Sequence, residues 1–439
     1  MTLTKKTAYV FLAVLLAAGF TARFGCWINP GYCVTHATAF DIGTYTVFSM
    51  AYVEAVKTGN LTALTGINPG VPPLSMILTG LSISLFAPYM ETVQAGLLLP
   101  ITASTLTAIP VYLAVRKHSE KHALFSAALF LFDPFTIQYS VAYLDAVGTL
   151  FAALSTVYML SGKSLGKAVL TASLAALTKL SFIIFLTILA ILLITLKKQP
   201  VRTGVVYIVV PPLSLLLSPW MWSLKSVETG VVGNLQFNNL PFSAVLGPFV
   251  IDVPQSLPWY ILSYLGMGVV SWNTFPYIIP LALLAVTVWL AVQRHSYRGG
   301  AFIPAAAAVL SVALLPRNYW TYSWGAGAVQ GVLIRQFYPY YFYITSPFLA
   351  MLTAQAIGGG GNGEKTPRII FYPPLFTALL SPLAVAMNLG MPYWDFIFNL
   401  IYSFSQGLWV VEGFTALLLT LAALTTVFLI TETFYRRLS

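Results

Sequence analysis

Apolar residues in this chain come in long unbroken runs. They show neither the three-and-four spacing of a soluble helix nor the alternation of a half-buried strand. The runs cover 7–24, 92–115, 122–139, 143–160, 166–179, 180–196, 203–220, 276–293, 301–316, 336–357, 369–388 and 411–431. Most approach the roughly 20 residues that a helix needs to cross hydrocarbon. The runs 166–179 and 180–196 meet at Lys179 and read as two short tilted helices or as one broken pair. Residues 72–87 and 258–271 are apolar but short, and read as interfacial or re-entrant helices. The pattern predicts an all-α polytopic membrane protein with about 12 transmembrane helices. It has one transmembrane domain over 1–439 and no repeat of fixed period.

Composition agrees with this. Only 8% of the 439 residues are charged and 58% are hydrophobic, against roughly 25% charged in a soluble domain. The net charge of +10 is therefore a matter of sidedness, not of nucleic-acid binding. With the N-terminus in the cytoplasm, Arg23, Lys57, Lys179, Lys225, Arg317 and Arg335 fall on or near the outer side, and the other sixteen of the 22 Lys and Arg fall inside. That split obeys the positive-inside rule with both termini cytoplasmic. Lys5-Lys6 and the following run also resemble a secretory signal, but no small-x-small cleavage site follows, which favours a retained first helix.

The long loops, 25–91, 221–275, 317–335 and 389–410, all lie outside on this reading, and so do most acids. Chemistry is expected there. The inner run 358–363 is glycine-rich but lacks the Gly-Lys-Ser/Thr ending of a phosphate loop. Two cysteines argue against an iron–sulfur or multi-cysteine zinc site. Cys26 and Cys33, close together in one outer loop, are expected to form a disulfide.

The first outer loop is the most informative stretch. It reads Ala39-Phe40-Asp41-Ile42-Gly43-Thr44-Tyr45, and Tyr45, Phe48, Tyr52 and Val56 then share one helical face, as in a helix lying on the membrane surface. Asn68-Pro69-Gly70-Val71-Pro72-Pro73-Leu74 follows. Further on come Asp133-Pro134, Tyr143-Leu144-Asp145 at an outer membrane edge, and Thr178-Lys179 at the end of the fifth run.

That ordered set resembles the GT-C superfamily of membrane glycosyltransferases, above all its protein O-mannosyltransferase and lipid A aminoarabinose transferase branch. Those proteins share an acid in the first outer loop, surface helices, a Pro-Pro-Leu/Met motif, an Asp at the start of the fourth helix and a Thr-Lys ending the fifth. The likeness covers roughly residues 7–200, and Arg335-Gln336-Phe337-Tyr338-Pro339 resembles the family's later entry motif. Ile42 stands where a second acid commonly follows the first, and Val71 where His or Lys commonly precedes Pro-Pro. Acceptor handling and a divalent metal are open on that account, and no metal ligand is assigned.

The resemblance implies a polyprenyl-phosphate sugar donor, such as dolichyl phosphate mannose, and inverting transfer to a hydroxyl on a protein, lipid or glycan. A lipid-phosphate leaving group needs positive charge nearby, and Lys179, Arg335 and Arg317 are the candidates for it. The attacking hydroxyl needs a base, worth about 10²–10⁴-fold. Asp41 is that candidate, with Asp145 to assist it or to bind a sugar or acceptor hydroxyl. Each residue also has a plainer reading. Asp41 reads as a helix N-cap, Asp145 as a capping or snorkelling acid, and Lys179, Arg335 and Arg317 as helix anchors. Asp133-Pro134 reads as a helix-end device. The rival class is a multi-pass transporter or lipid flippase, which symmetric repeats and paired broken helices would favour.

Overall fold

A computed structural model describes residues 4–28, 36–60, 72–117, 119–133, 136–137, 139–162, 164–196, 198–216, 301–313, 318–325, 328–335 and 343–358. The expected helices at 258–271, 276–293, 369–388 and 411–431 lie outside the described residues, as do the loops 221–275 and 389–410.

The described elements are α1 (Lys5–Ile28), α2 (His36–Lys57), α3 (Leu74–Phe86), α4 (Thr92–Leu106), α5 (Ala108–Val115), α6 (Glu120–Leu131), α7 (Tyr143–Ser161), α8 (Leu165–Thr178), α9 (Ser181–Thr195), α10 (Val201–Leu216), α11 (Phe302–Ala313), β1 (Asn318–Gly325), β2 (Ala328–Arg335) and α12 (Thr345–Gly358). Lys5–Ile28, Thr92–Val115 and Tyr143–Ser161 are long and apolar enough to cross a membrane, and shorter apolar helices pack around them. The protein is an α-helical, integral, multi-pass membrane protein.

Local chemistry sets the boundaries. The Ser119 side chain accepts from the His122 N–H at the start of α6, and Ser164 accepts from the Lys167 N–H at the start of α8, each satisfying an orphan amide. Gly162 ends α7 at φ 64°, the left-handed cap that glycine adopts without strain. The Thr92–Val115 span is interrupted at Thr107. Pro110 has no N–H for the Leu106 carbonyl, so the helical ladder breaks there.

Two expectations change, and one left open is decided. The run 122–139 is not one helix, because α6 ends at Leu131. The Asp133-Pro134 pair explains this, since the residue before proline is pushed out of the α region. A 3₁₀ turn at Tyr139–Val141 then leads into α7. Residues 318–335 form an antiparallel hairpin, with Asn318 opposite Arg335 and Gly325 opposite Ala328, a small exception to the helical architecture. At Lys179 the first of the two expected arrangements holds. Leu215 near the end of α10 clusters with Ala176 of α8 and Ile183 of α9. At the other end of α10, a Cβ on Gly204 would lie 2.3 Å from Ile194 of α9. So α8 runs parallel to α10 and α9 runs antiparallel to both. They are two helices joined by a tight turn at Lys179–Leu180, not one broken helix.

The rest of the bundle alternates likewise. Trp27 donates to the Gln94 carbonyl at one end of the α1/α4–α5 pair (2.9 Å), and Arg116 donates to the Tyr9 hydroxyl at the other (2.7 Å). The main core packs α5, α6, α7, α8, α9, α11 and α12 together, with Phe185 stacked on Phe348. A second cluster joins Ala22 and Cys26 of α1, Ile42 of α2, Leu97 and Ile101 of α4, and Tyr143 of α7. Cys26 is disulfide-bonded. The chain's other cysteine, Cys33, lies outside the described residues.

Candidate functional site

Tyr143, the first residue of α7, organises one end of the bundle. Its hydroxyl lies 3.2 Å from the Thr46 hydroxyl of α2, and its carbonyl accepts from the Ser75 hydroxyl of α3 at 2.8 Å. These bonds hold α2 and α3, both from the first loop, against the start of α7. The contact between α2 and α3 is close: a Cβ on Gly80 would sit 2.7 Å from the Ser49 carbonyl oxygen. The buried face of α2 is Ile42, Thr46, Ser49, Tyr52 and Ala55, while Val56 is exposed. The face expected from the sequence, through Tyr45 and Val56, is therefore rotated. The bundle buries small polar residues of α2 that can meet Tyr143 and α3.

Asp41 is the sixth residue of α2. It stands inside the helix, not at its N-cap, so the plainer reading of Asp41 does not hold. The helix starts earlier than the aromatic pattern suggests because His36-Ala37-Thr38-Ala39-Phe40 contains no breaker.

Asp145, the third residue of α7, sits in its first turn. Lys179 lies in extended backbone at φ −161° and ψ 137°, at the turn between α8 and α9. The Lys179 ammonium is 2.8 Å from Oδ1 and 2.7 Å from Oδ2 of Asp145. Both side chains are less than a tenth exposed. Those are the short distances of a charge-assisted bond. Burying two charges is offset only by geometry of this quality. The two residues given separate roles from sequence thus form one unit. Lys179 does not snorkel, and Asp145 is not a simple cap.

Gly148 makes this approach possible. It lies three residues after Asp145, and a Cβ there would fall 2.1 Å from Phe182 and 2.4 Å from the Thr178 hydroxyl. Only hydrogen at this position lets the α8–α9 turn close onto α7. Asp145 also benefits from its place at the positive end of α7.

Sequence reasoning missed Arg23, which it treated as one more outer cation. It is fully buried in α1. Its guanidinium donates to the Ser104 hydroxyl of α4 at 2.8 Å, the Gly19 carbonyl at 2.9 Å, the Leu131 carbonyl at 2.8 Å and the Thr136 hydroxyl at 3.1 Å. Asp133 and Tyr343 are its charged and polar neighbours. Tyr343, just before α12, also donates to Ser104 at 2.5 Å. Arg23 therefore ties the end of α6, and the connection that leads to Asp145, to α1, α4 and α12. Asp133 keeps its helix-end role, since its carbonyl accepts from the Ile137 N–H.

Arg335 ends β2 and pairs across the hairpin with Asn318, the residue after Arg317. Arg317 itself, and the Arg335 side chain, lie outside the described residues. Among the described residues, no group of three or more His, Cys, Asp or Glu comes together.

The fold has a counterpart among solved structures. The crystal structure of ArnT from Cupriavidus metallidurans bound to undecaprenyl phosphate matches 95% of this chain and 76% of its own, at 16% identity and a TM-score of 0.51. The apo state of ArnT from the same organism covers 97% and 77%, at 15% identity and a TM-score of 0.48. The chain thus shares the fold of the undecaprenyl-phosphate-bound ArnT structure. No protein-family model and no curated protein matches it.

Proposed function

We propose that this protein is a membrane glycosyltransferase that moves a sugar from a polyprenyl-phosphate donor to a hydroxyl on a protein, lipid or glycan. The reaction takes place at the outer face, with both termini cytoplasmic. The observation that carries this reading is the fold shared, over 95% of the chain, with an enzyme bound to undecaprenyl phosphate. The buried Asp145–Lys179 pair, whose acid lies two residues after the Tyr143 that bonds to the Asp41-bearing helix α2, supports it.

In the proposed reaction the acceptor oxygen attacks the anomeric carbon and the bond from that carbon to the phosphate oxygen breaks. The lipid phosphate leaves with the electron pair, and the product is inverted. Asp41 takes the hydroxyl proton as general base. Lys179, Arg335 and Arg317 offer positive charge to the leaving phosphate, which forms as a stable anion and needs no proton donor.

The test is transfer of radiolabelled sugar by purified wild-type protein from a panel of polyprenyl-phosphate sugars. Transfer from at least one, with release of polyprenyl phosphate, is expected. No transfer from any, together with no binding of undecaprenyl phosphate in nanodiscs, would overturn the reading.

A further inference from the structure

The Asp145–Lys179 pair raises a question that the proposed reaction leaves open. A cation meant for a lipid phosphate is already held by both oxygens of a buried carboxylate, at 2.7 and 2.8 Å. An ammonium so engaged is not fully available to a second anion. The surrounding structure holds the two together: Gly148 admits Phe182 and Thr178 at close range, and Lys179 sits at a tight turn between two packed helices.

We propose that Asp145 and Lys179 form a charge-exchange latch, in which Asp145 competes with the lipid phosphate for Lys179 and so drives release of the spent carrier. This rests on the reading of the protein as a polyprenyl-phosphate glycosyltransferase. When the loaded donor arrives, its phosphate takes over Lys179. The freed carboxylate is then buried without its cation, which is costly unless something donates a hydrogen bond to it. The hydroxyls of the donor's own sugar, or of the acceptor, are donors of the right kind. Phosphate and hydroxyl thus favour each other's binding, and the coupling is reciprocal. Once the sugar has left, the polyprenyl phosphate brings no hydroxyls. Asp145 recaptures Lys179, and the carrier is displaced. The latch separates loaded donor from spent carrier by whether a ligand can satisfy both halves of the broken pair.

The probe is undecaprenyl phosphate, which has the phosphate and lipid but no sugar. In nanodiscs, Asp145→Asn is expected to bind it about tenfold more tightly than wild type, because Lys179 has lost its competitor. Lys179→Met is expected to bind it more weakly. Equal or weaker binding by a folded Asp145→Asn overturns the latch. A second measurement uses wild type alone, in case that variant does not fold. With carboxyl-¹³C aspartate and ¹⁵N lysine, solid-state NMR should show one strong Asp–Lys dipolar coupling in the free protein. Saturating undecaprenyl phosphate should weaken it and create a ³¹P–¹⁵Nζ coupling. An undiminished Asp–Lys coupling with lipid bound overturns the latch. The two readings fail differently. Wild type that transfers sugar but shows neither effect refutes the latch alone, whereas wild type that neither binds the lipid nor transfers sugar refutes the donor class.

Discussion

Arg23 donates to the backbone carbonyl of Leu131, 108 positions away in sequence, and closes the end of α6 from inside α1. The same guanidinium reaches Thr136 in the connection to α7, so the segment before Asp145 is held by a charge on a different helix.

Arg23→Met should therefore destabilise the protein strongly. It removes four hydrogen bonds and leaves buried acceptors at Ser104, Leu131 and Thr136. Breaking a buried charged contact costs roughly 3–5 kcal/mol. Arg23→Lys should recover only part of this, because an ammonium cannot reproduce the planar fork. Thermal unfolding in detergent reads both, and wild-type stability in Arg23→Met would show that the network contributes little.

Gly148→Ala should separate α7 from the α8–α9 turn. The added methyl meets Phe182 and Thr178 at distances no real contact allows, and overpacking of this kind costs about 1–3 kcal/mol. The Asp145–Lys179 contact lies one turn away, so sugar transfer should fall more than stability does. A folded variant with normal turnover would mean that the close approach is dispensable.

Much of this was legible in the sequence, and the rest was not, for definable reasons. The start of α7 and the Lys179 junction could be read because both sit at sharp edges of apolar runs. The pairing of Asp145 with Lys179 could not be read, since it depends on how α8 and α9 turn back against α7. Arg23 looked like one more interfacial cation because its partners lie on α4, on α6 and in the connection after α6. The hairpin did leave a signal. Asn318-Tyr319-Trp320-Thr321-Tyr322-Ser323-Trp324 is rich in the aromatic and β-branched residues of strands, but its position between apolar runs favoured a loop.

Asp41→Asn should abolish transfer while the protein still folds and binds lipid donor. Asp41 lies within α2, where Asn and Asp have similar helix propensity. The loss should fall on turnover, as expected for an interaction made only in the transition state. Normal turnover would make Asp145 the first choice for the base.

Arg335→Ala should weaken donor binding with little effect on folding. Lys179→Ala should weaken donor binding and also destabilise the protein, because it leaves Asp145 buried without its cation. Loss of one partner of a buried charged contact costs roughly 2–5 kcal/mol. Donor titration alongside thermal unfolding separates the two effects. Unchanged donor affinity in both variants would make these residues structural anchors only.

Single cysteines at positions 118 and 362, in a background without the native pair, should resist a membrane-impermeant thiol reagent from outside, while those at 65 and 230 react. The reverse pattern would place the Asp145 end on the cytoplasmic side.

The helices that meet at Lys179 are short. At 14 and 15 residues and 1.5 Å per residue, α8 and α9 each reach about 21–23 Å, against a hydrocarbon core of roughly 30 Å. A bilayer meets such hydrophobic mismatch by thinning around the protein. The bilayer beside these two helices is therefore expected to be thinner than elsewhere around the protein.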